Sequence, residues 1–231
     1  ARVLTKVYKE TEGQPQIRRR YKASAELYRT MKPIIYDHER LAGWPASRIR
    51  GVQIAIEMHA DWLADDLDNM ESRTYDPFQI PEEYKVELRE EIIPYWKDKT
   101  LTKLLEGYIG KDEIMKGTAG GFSDIVNFIT SHGSHFLPDY PYLMKHGFVG
   151  QYEKAKQCLA ELDPDDPASI DKREFYKGLI EVLEGIKTLA DNYADAAADR
   201  AKQEKDPIRK QELLAMEECM RQVPWNPPRN F

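Results

Sequence analysis

At 231 residues, with 41% apolar and 32% charged side chains, the chain can bury one large core or two modest ones without a disulfide or metal staple, and disorder over most of its length is excluded. A formal net charge of -6, with 34 basic against 40 acidic residues spread along the chain, offers no basic field to a phosphate backbone and excludes nucleic acid as a partner. Cys158 and Cys219 form no CxxC pair, and no run approaches the roughly twenty apolar residues of a bilayer span, so the expected setting is reducing and cytoplasmic, away from a membrane.

In chain order, Val3, Leu4, Val7 and Tyr8 share a face ahead of Gly13, predicting a short helix over residues 3–12 with a glycine stop. A second helix follows Pro15 and runs to about Met31, because Pro33 disfavours helical backbone at the residue before it. Within it Arg18-Arg19-Arg20 is expected on a solvated face. Ile34-Ile35-Tyr36 and Arg40-Leu41-Ala42 flank Asp37-His38-Glu39 and predict two short strands around a polar turn, with another brief strand over residues 52–56. Trp62, Leu63, Leu67 and Met70 predict an amphipathic helix over 58–70, with Asp61, Asp65, Asp66 and Asp68 as its solvated side rather than a calcium loop. Pro81-Glu82-Glu83 opens a helix that Tyr84, Leu88 and Ile92 carry to Pro94.

The glycines at 117, 120 and 121 match neither GxGxxG nor GxxxxGK, so no phosphate cradle is predicted. Pro138-Asp139-Tyr140-Pro141 reads as a turn-rich loop before a helix over 151–162. Asp163-Pro164-Asp165-Asp166-Pro167 then breaks the chain, making residues 163–170 the candidate subdivision. Beyond it, Asp171 and Glu174 form a capping-box-like start, and Phe175, Leu179, Val182, Ile186, Leu189 and Tyr193 hold a 3.6 period towards Glu204. Asp206-Pro207 opens a last helix ending before Pro224, and the Pro-rich stretch 223–231 leaves apolar groups uncovered. With Ala1 as its first residue, the chain reads as cut from something longer.

His132, His135, Asp139 and His146 are a local concentration of metal-capable groups, but their spacing matches no standard zinc site. The residues leave two readings: a loop histidine that hydrogen-bonds a polar substrate, or one satisfied by backbone carbonyls. No GxSxG elbow surrounds Ser134, and Cys158 lies in a predicted helix without an adjacent base, so no nucleophile is assigned. Catalytic and metal-binding residues are therefore expected to be absent from this chain.

Several phrases occur in a telling order: Val7-Tyr8-Lys9-Glu10-Thr11-Glu12-Gly13, Leu67-Asp68-Asn69-Met70 with Arg73 and Asp76-Pro77-Phe78, and Ile93-Pro94-Tyr95-Trp96-Lys97. Downstream come Gly133-Ser134-His135, Gly147-Phe148-Val149-Gly150, Lys172-Arg173-Glu174-Phe175-Tyr176, Asp206-Pro207-Ile208-Arg209-Lys210-Gln211-Glu212-Leu213 and Asn226-Pro227-Pro228-Arg229-Asn230-Phe231. Together they resemble the N-terminal portion of glycyl-radical enzymes, the pyruvate formate-lyase-like family, in its glycerol dehydratase, choline lyase and hydroxyproline dehydratase branch. The resemblance covers nearly the whole chain.

It implies that residues 1–231, mainly α with a few short strands, are the helical N-terminal part of a larger glycyl-radical α/β barrel. The implied enzyme is a lyase or dehydratase cleaving a C–O, C–N, C–C or C–S bond of a small polar substrate through hydrogen abstraction by a thiyl radical. Its catalytic cysteine and radical glycine would lie outside this chain, and a radical-SAM activating enzyme would install the glycyl radical. A homodimer is implied for the full-length protein. His135 falls where dehydratase-like members carry a Gly-His pair that contacts a substrate hydroxyl, with Ser134 in place of the glycine. The other readings are a formate acetyltransferase-type member and a non-catalytic helical interaction module.

Overall fold

The structure is a computed structural model. It describes residues 1–44, 46, 51, 53–120 and 138–230, leaving aside the side chain of Thr118. Among them the chain forms α1 (Arg2–Glu10), α2 (Gln16–Thr30), α3 (Asp61–Asp66), α4 (Glu82–Glu87), a π-helical turn over Leu88–Ile92, α5 (Ile93–Trp96), α6 (Leu101–Ile109), α7 (Lys111–Ala119), α8 (Tyr140–Ala160), α9 (Ser169–Gln203) and α10 (Pro207–Gln222), and no strand. These fall into two compact units: Ala1–Thr5 with Gln53–Phe136, and Lys6–Val52 with Leu137–Phe231. The break at 163–170 lies inside the second unit.

The first unit is built from short elements around Ile56, Leu63, Leu67, Leu88, Ile92 and Trp96, all buried. The indole N–H of Trp96 donates to the Thr5 hydroxyl at 2.9 Å, which lets the largest side chain of this core be enclosed without an orphaned donor. The helix opened by Pro81 does not stop at Pro94 as expected. It passes through the π-helical turn, whose wider repeat accommodates a ring that would otherwise clash with the carbonyl four residues back, and continues to Trp96.

The helix expected over 58–70 shortens to α3 and gives way to turns, with Asn69 N–H bonded to Asp66 O at 2.9 Å and Ser72 N–H to Asn69 O at 3.0 Å. Three of its aspartates are ion-paired rather than simply solvated: Asp61 meets Lys103 at 2.7 Å, Asp66 meets Arg73 and Asp68 meets Arg89. Helices α6 and α7 were not expected. Thr100 starts α6 by accepting from Lys103 N–H at 3.3 Å, and Gly117 lies inside α7.

The second unit is organised by α9. Its most buried positions are Gly178, Leu183, Gly185, Ala190, Tyr193, Ala194, Ala197 and Ala201, whereas Leu179, Val182, Ile186 and Leu189, which carry the sequence period, are half-buried. The seam is small because α2 lies against it. A Cβ on Gly185 would fall 2.8 Å from the Ala25 carbonyl oxygen, and one on Gly178 would enter the Tyr21 ring. Ion pairs flank this contact, Arg18 with Glu181 at 2.8 Å and Arg29 with Glu184 at 3.8 Å.

The arginine run is consequently a solvated face only in part: Arg20 is exposed and Arg18 half-buried. Arg19 is buried, donating to the Tyr8 carbonyl at 2.7 Å with its guanidinium 4.5 Å from the Tyr8 ring centroid. Helix α9 also starts earlier than the expected capping box. Asp166, not Asp171, supplies the local acceptor, taking the Ala168 N–H at 2.9 Å.

The short strands expected at 34–36 and 40–42 do not form. A strand needs a second strand for its carbonyls, and here side chains of α9 and α10 serve instead. Arg200 donates to the Ile35 carbonyl, Arg209 to those of Glu39 and, at 3.0 Å, Tyr36, and the Tyr193 hydroxyl to that of Trp44 at 2.7 Å. In the first unit, residues 53–56 form no strand either, and Met58 N–H closes a turn on Ala55 O at 3.2 Å.

Candidate functional site

His135, with His132 and Ser134, lies outside the described residues. Asp139 and His146 are described, and each has a local use. The Asp139 carboxylate caps α8, accepting from Tyr142 N–H at 3.1 Å, and Pro141 sits in the first turn, where no N–H is needed. The stretch expected as a turn-rich loop is thus a helix start. The His146 ring rests against Tyr142, with centroids 4.6 Å apart. Among the described residues no group of three metal-capable side chains converges.

Immediately after His146, α8 breaks at Gly147, whose φ of 62° and ψ of -177° belong to a region that is essentially glycine's alone. The helix restarts with its first N–H groups unsatisfied, and the segment after α10 satisfies them. Phe148 N–H donates to Pro224 O at 3.0 Å and Val149 N–H to Trp225 O at 2.9 Å. A Cβ on Gly147 would lie 2.4 Å from that Trp225 oxygen, so the close approach also requires glycine. The same segment is tied back to α10 through Gln222, whose side-chain amide donates to Pro227 O at 2.7 Å.

Around this strap gathers a cluster of aromatic and charged groups. Trp225 packs against Tyr152 with centroids 5.2 Å apart, and Tyr152 donates to Glu184 at 3.2 Å. Burial and the Glu184 carboxylate push the Tyr152 phenol above its ordinary value. Lys187 pairs with Asp191 at 2.7 Å. Between α9 and α10 lies a groove of about 510 Å³, lined by Asp195, Asp199, Lys202, Lys210, Glu217 and Arg221, whose alternating signs favour neither anion nor cation.

The thiols also have structural settings. Cys158 is half-buried and raises the phenol of the neighbouring Tyr176, while Cys219 is exposed on α10. Sequence reasoning overlooked the Gly147 break and its strap. Gly147 and Gly150 three residues apart within a helical run, together with prolines at 224, 227 and 228, were the available signals.

The described geometry therefore defines a class first: a helical scaffold whose polar groups are engaged in caps, ion pairs and backbone clamps. The chain belongs to the pyruvate formate lyase-like family, whose model matches residues 1–231. It is 34% identical over 240 residues to the isethionate sulfite-lyase of Oleidesulfovibrio alaskensis, covering 100% of this chain and 29% of that protein. A solved structure concerned with 1,2-propanediol dehydration in Roseburia inulinivorans superposes with a TM-score of 0.90 at 28% identity, over 97% of this chain and 28% of that one. The glycerol-bound form of the B12-independent glycerol dehydratase from Clostridium butyricum gives a TM-score of 0.88 at 30% identity, over 98% and 28%. The chain thus spans less than a third of the relatives' length. No helix among the described residues is long and apolar enough to cross a membrane.

Proposed function

We propose that this chain is the N-terminal helical part of a glycyl-radical lyase or dehydratase acting on a small polar substrate. The observation that carries the reading is the match of the entire chain to one end-to-end portion of a family whose members include glycyl radical enzymes. When present, the glycyl radical supplies hydrogen-atom abstraction through a thiol, breaking a C–O, C–N, C–C or C–S bond. Cys158, half-buried beside Tyr176, and Cys219, on the surface of α10, do not fit that thiol, which belongs to polypeptide beyond these residues.

Within this portion His135 is the substrate-facing group, its imidazole hydrogen-bonding a substrate hydroxyl and orienting the bond to be cleaved. Asp139, four residues on in the sequence, caps the start of α8. A radical-SAM enzyme activates the full-length protein, which is a cytoplasmic homodimer.

The test is anaerobic activation of the full-length polypeptide with a radical-SAM partner, followed by electron paramagnetic resonance and turnover of isethionate, glycerol and 1,2-propanediol. A glycyl doublet together with turnover of at least one substrate is expected. Absence of any radical would sink the reading. His135→Ala should leave the radical intact and lower kcat/KM by about 100-fold, as loss of a hydrogen bond to a buried substrate hydroxyl does. Unchanged kinetics would remove His135 from the site.

A further inference from the structure

Helix α6 carries Leu101, Leu104, Leu105, Tyr108 and Ile109 at i, i+3, i+4, i+7 and i+8, the spacing of a helix that buries one face. Here that face is the open one. Leu104 is 56% exposed, Tyr108 81% and Ile109 45%, with Leu101 and Leu105 half-buried, while the fully buried position of the helix is Thr102. The polar side is the anchored side. Thr102 donates to the Met58 carbonyl through its hydroxyl at 2.9 Å and its N–H at 3.1 Å, and Lys103 reaches Asp61 at 2.7 Å. An ordinary helix of a finished globular protein has the opposite arrangement.

Resting on the function proposed above, we infer that this stripe is the docking face for the remainder of the polypeptide. Two observations select that occupant over a second copy of the chain. The chain covers 29% of the length of its isethionate sulfite-lyase relative, so most of the polypeptide is available to cover it. The stripe is also small: at roughly 200 Å² per large side chain and about half exposed, its five residues offer on the order of 500 Å². A stable dimer interface needs about 800 Å² per partner. A tethered segment does not, because covalent connection raises its effective concentration to about the millimolar range. The occupant presents an apolar surface with a hydrogen-bonding group opposite the Tyr108 hydroxyl, which would otherwise be buried unsatisfied.

Hydroxyl-radical footprinting of the full-length protein, read by mass spectrometry at Leu104, Tyr108 and Ile109, tests this. Relative to the same protein in denaturant, modification of Leu104 and Tyr108 should fall by about tenfold, as expected for side chains reaching core-like burial. Modification within about twofold of the denatured rate, which the present exposure of Tyr108 implies, would overturn the inference. So would protection that disappears on dilution to monomer, because a second copy would then be the cover. The outcome is separable from that of the proposed function: a protein that takes up the radical while its stripe stays reactive refutes only the docking face, and one that never takes up a radical refutes the function whatever the footprint.

Discussion

The two units reach a buried interior by different means. The second relies on helices of 15, 35 and 16 residues, with α2 pressed along a seam of glycine and alanine in α9. The first uses helices of four to nine residues whose ends and loops are held by individual polar contacts, such as Trp96 to Thr5 and Lys103 to Asp61. Long helices spread stabilisation over many dispersion contacts, so tolerance is decided by space. Short ones depend on particular caps and ion pairs, so tolerance is decided by charge and hydrogen bonding. Substitutions can break that contrast, and in a background with Trp44 and Trp62 replaced by phenylalanine, tryptophan fluorescence can read it locally: Trp96 is buried in the first unit and Trp225 lies in the second.

The largest effect is expected at Gly147. Alanine there combines a backbone conformation costing about 1–3 kcal/mol with a Cβ forced into the Trp225 carbonyl, costing a further ~1–3 kcal/mol. Gly147→Ala should destabilise the second unit by about 4 kcal/mol, seen as a lower urea midpoint in the Trp225 signal with the Trp96 signal little moved. A loss below about 1 kcal/mol would mean that the strap yields readily and that the second unit is not limited by space.

A paired substitution sharpens the same point with smaller numbers. Gly185→Ala places a methyl 2.8 Å from the Ala25 carbonyl oxygen, so it should cost about 2 kcal/mol in the second unit. Gly107→Ala meets nothing within 4 Å on α6 and should stabilise the first unit by about 0.5–1 kcal/mol through helix propensity. Equal signs for the two would dissolve the distinction between a glycine kept for packing and one that is merely tolerated.

Legibility follows the same division. The helices at residues 2–10, 16–30, 169–203 and 207–222 were readable because a sustained 3.6 period and flanking prolines or glycines fix their extent. The face that α9 buries was not, since a period of leucines and valines predicts a large-residue seam, and only the approach of α2 makes Gly178 and Gly185 the contact. The strands at 34–36 and 40–42 were misread for a related reason. Apolar, β-branched runs show that backbone is extended, but not whether its carbonyls meet another strand or, as here, Arg200 and Arg209. In the first unit, α6 was overlooked although Thr100 and the leucine spacing were present, and Pro94 ended the predicted helix because a π-helical turn leaves no mark in the sequence. Of the candidate site, Asp139 was visible as a metal-capable group in a proline-rich turn, but its capping role emerges only from the position of Tyr142 N–H.

The smallest effect belongs to the first unit's polar contacts and carries a sign. Arg2 donates through Nε to Glu87 at 2.6 Å and closes a second contact to the other carboxylate oxygen, while its guanidinium lies 5.0 Å from the Tyr84 ring centroid. The hydrogen bond from Arg2 is the main cause holding the Glu87 carboxyl below the usual carboxylate range, with partial burial acting the other way. Because the folded pKa is the lower one, the pair's contribution is fully present above the unfolded glutamate value of about 4.3 and is lost as the pH falls through the depressed folded value. Both partners are partly exposed, with side-chain accessibilities of 62% and 26%, so solvent screening keeps the contribution under about 1 kcal/mol. The urea midpoint of Arg2→Gln, followed at Trp96, should therefore lie below that of the parent near pH 7 and converge with it once the pH has fallen below the depressed folded value. A gap that persists undiminished in acid would assign Arg2 a packing role over Tyr84 instead, and the first unit would then depend on space as the second does.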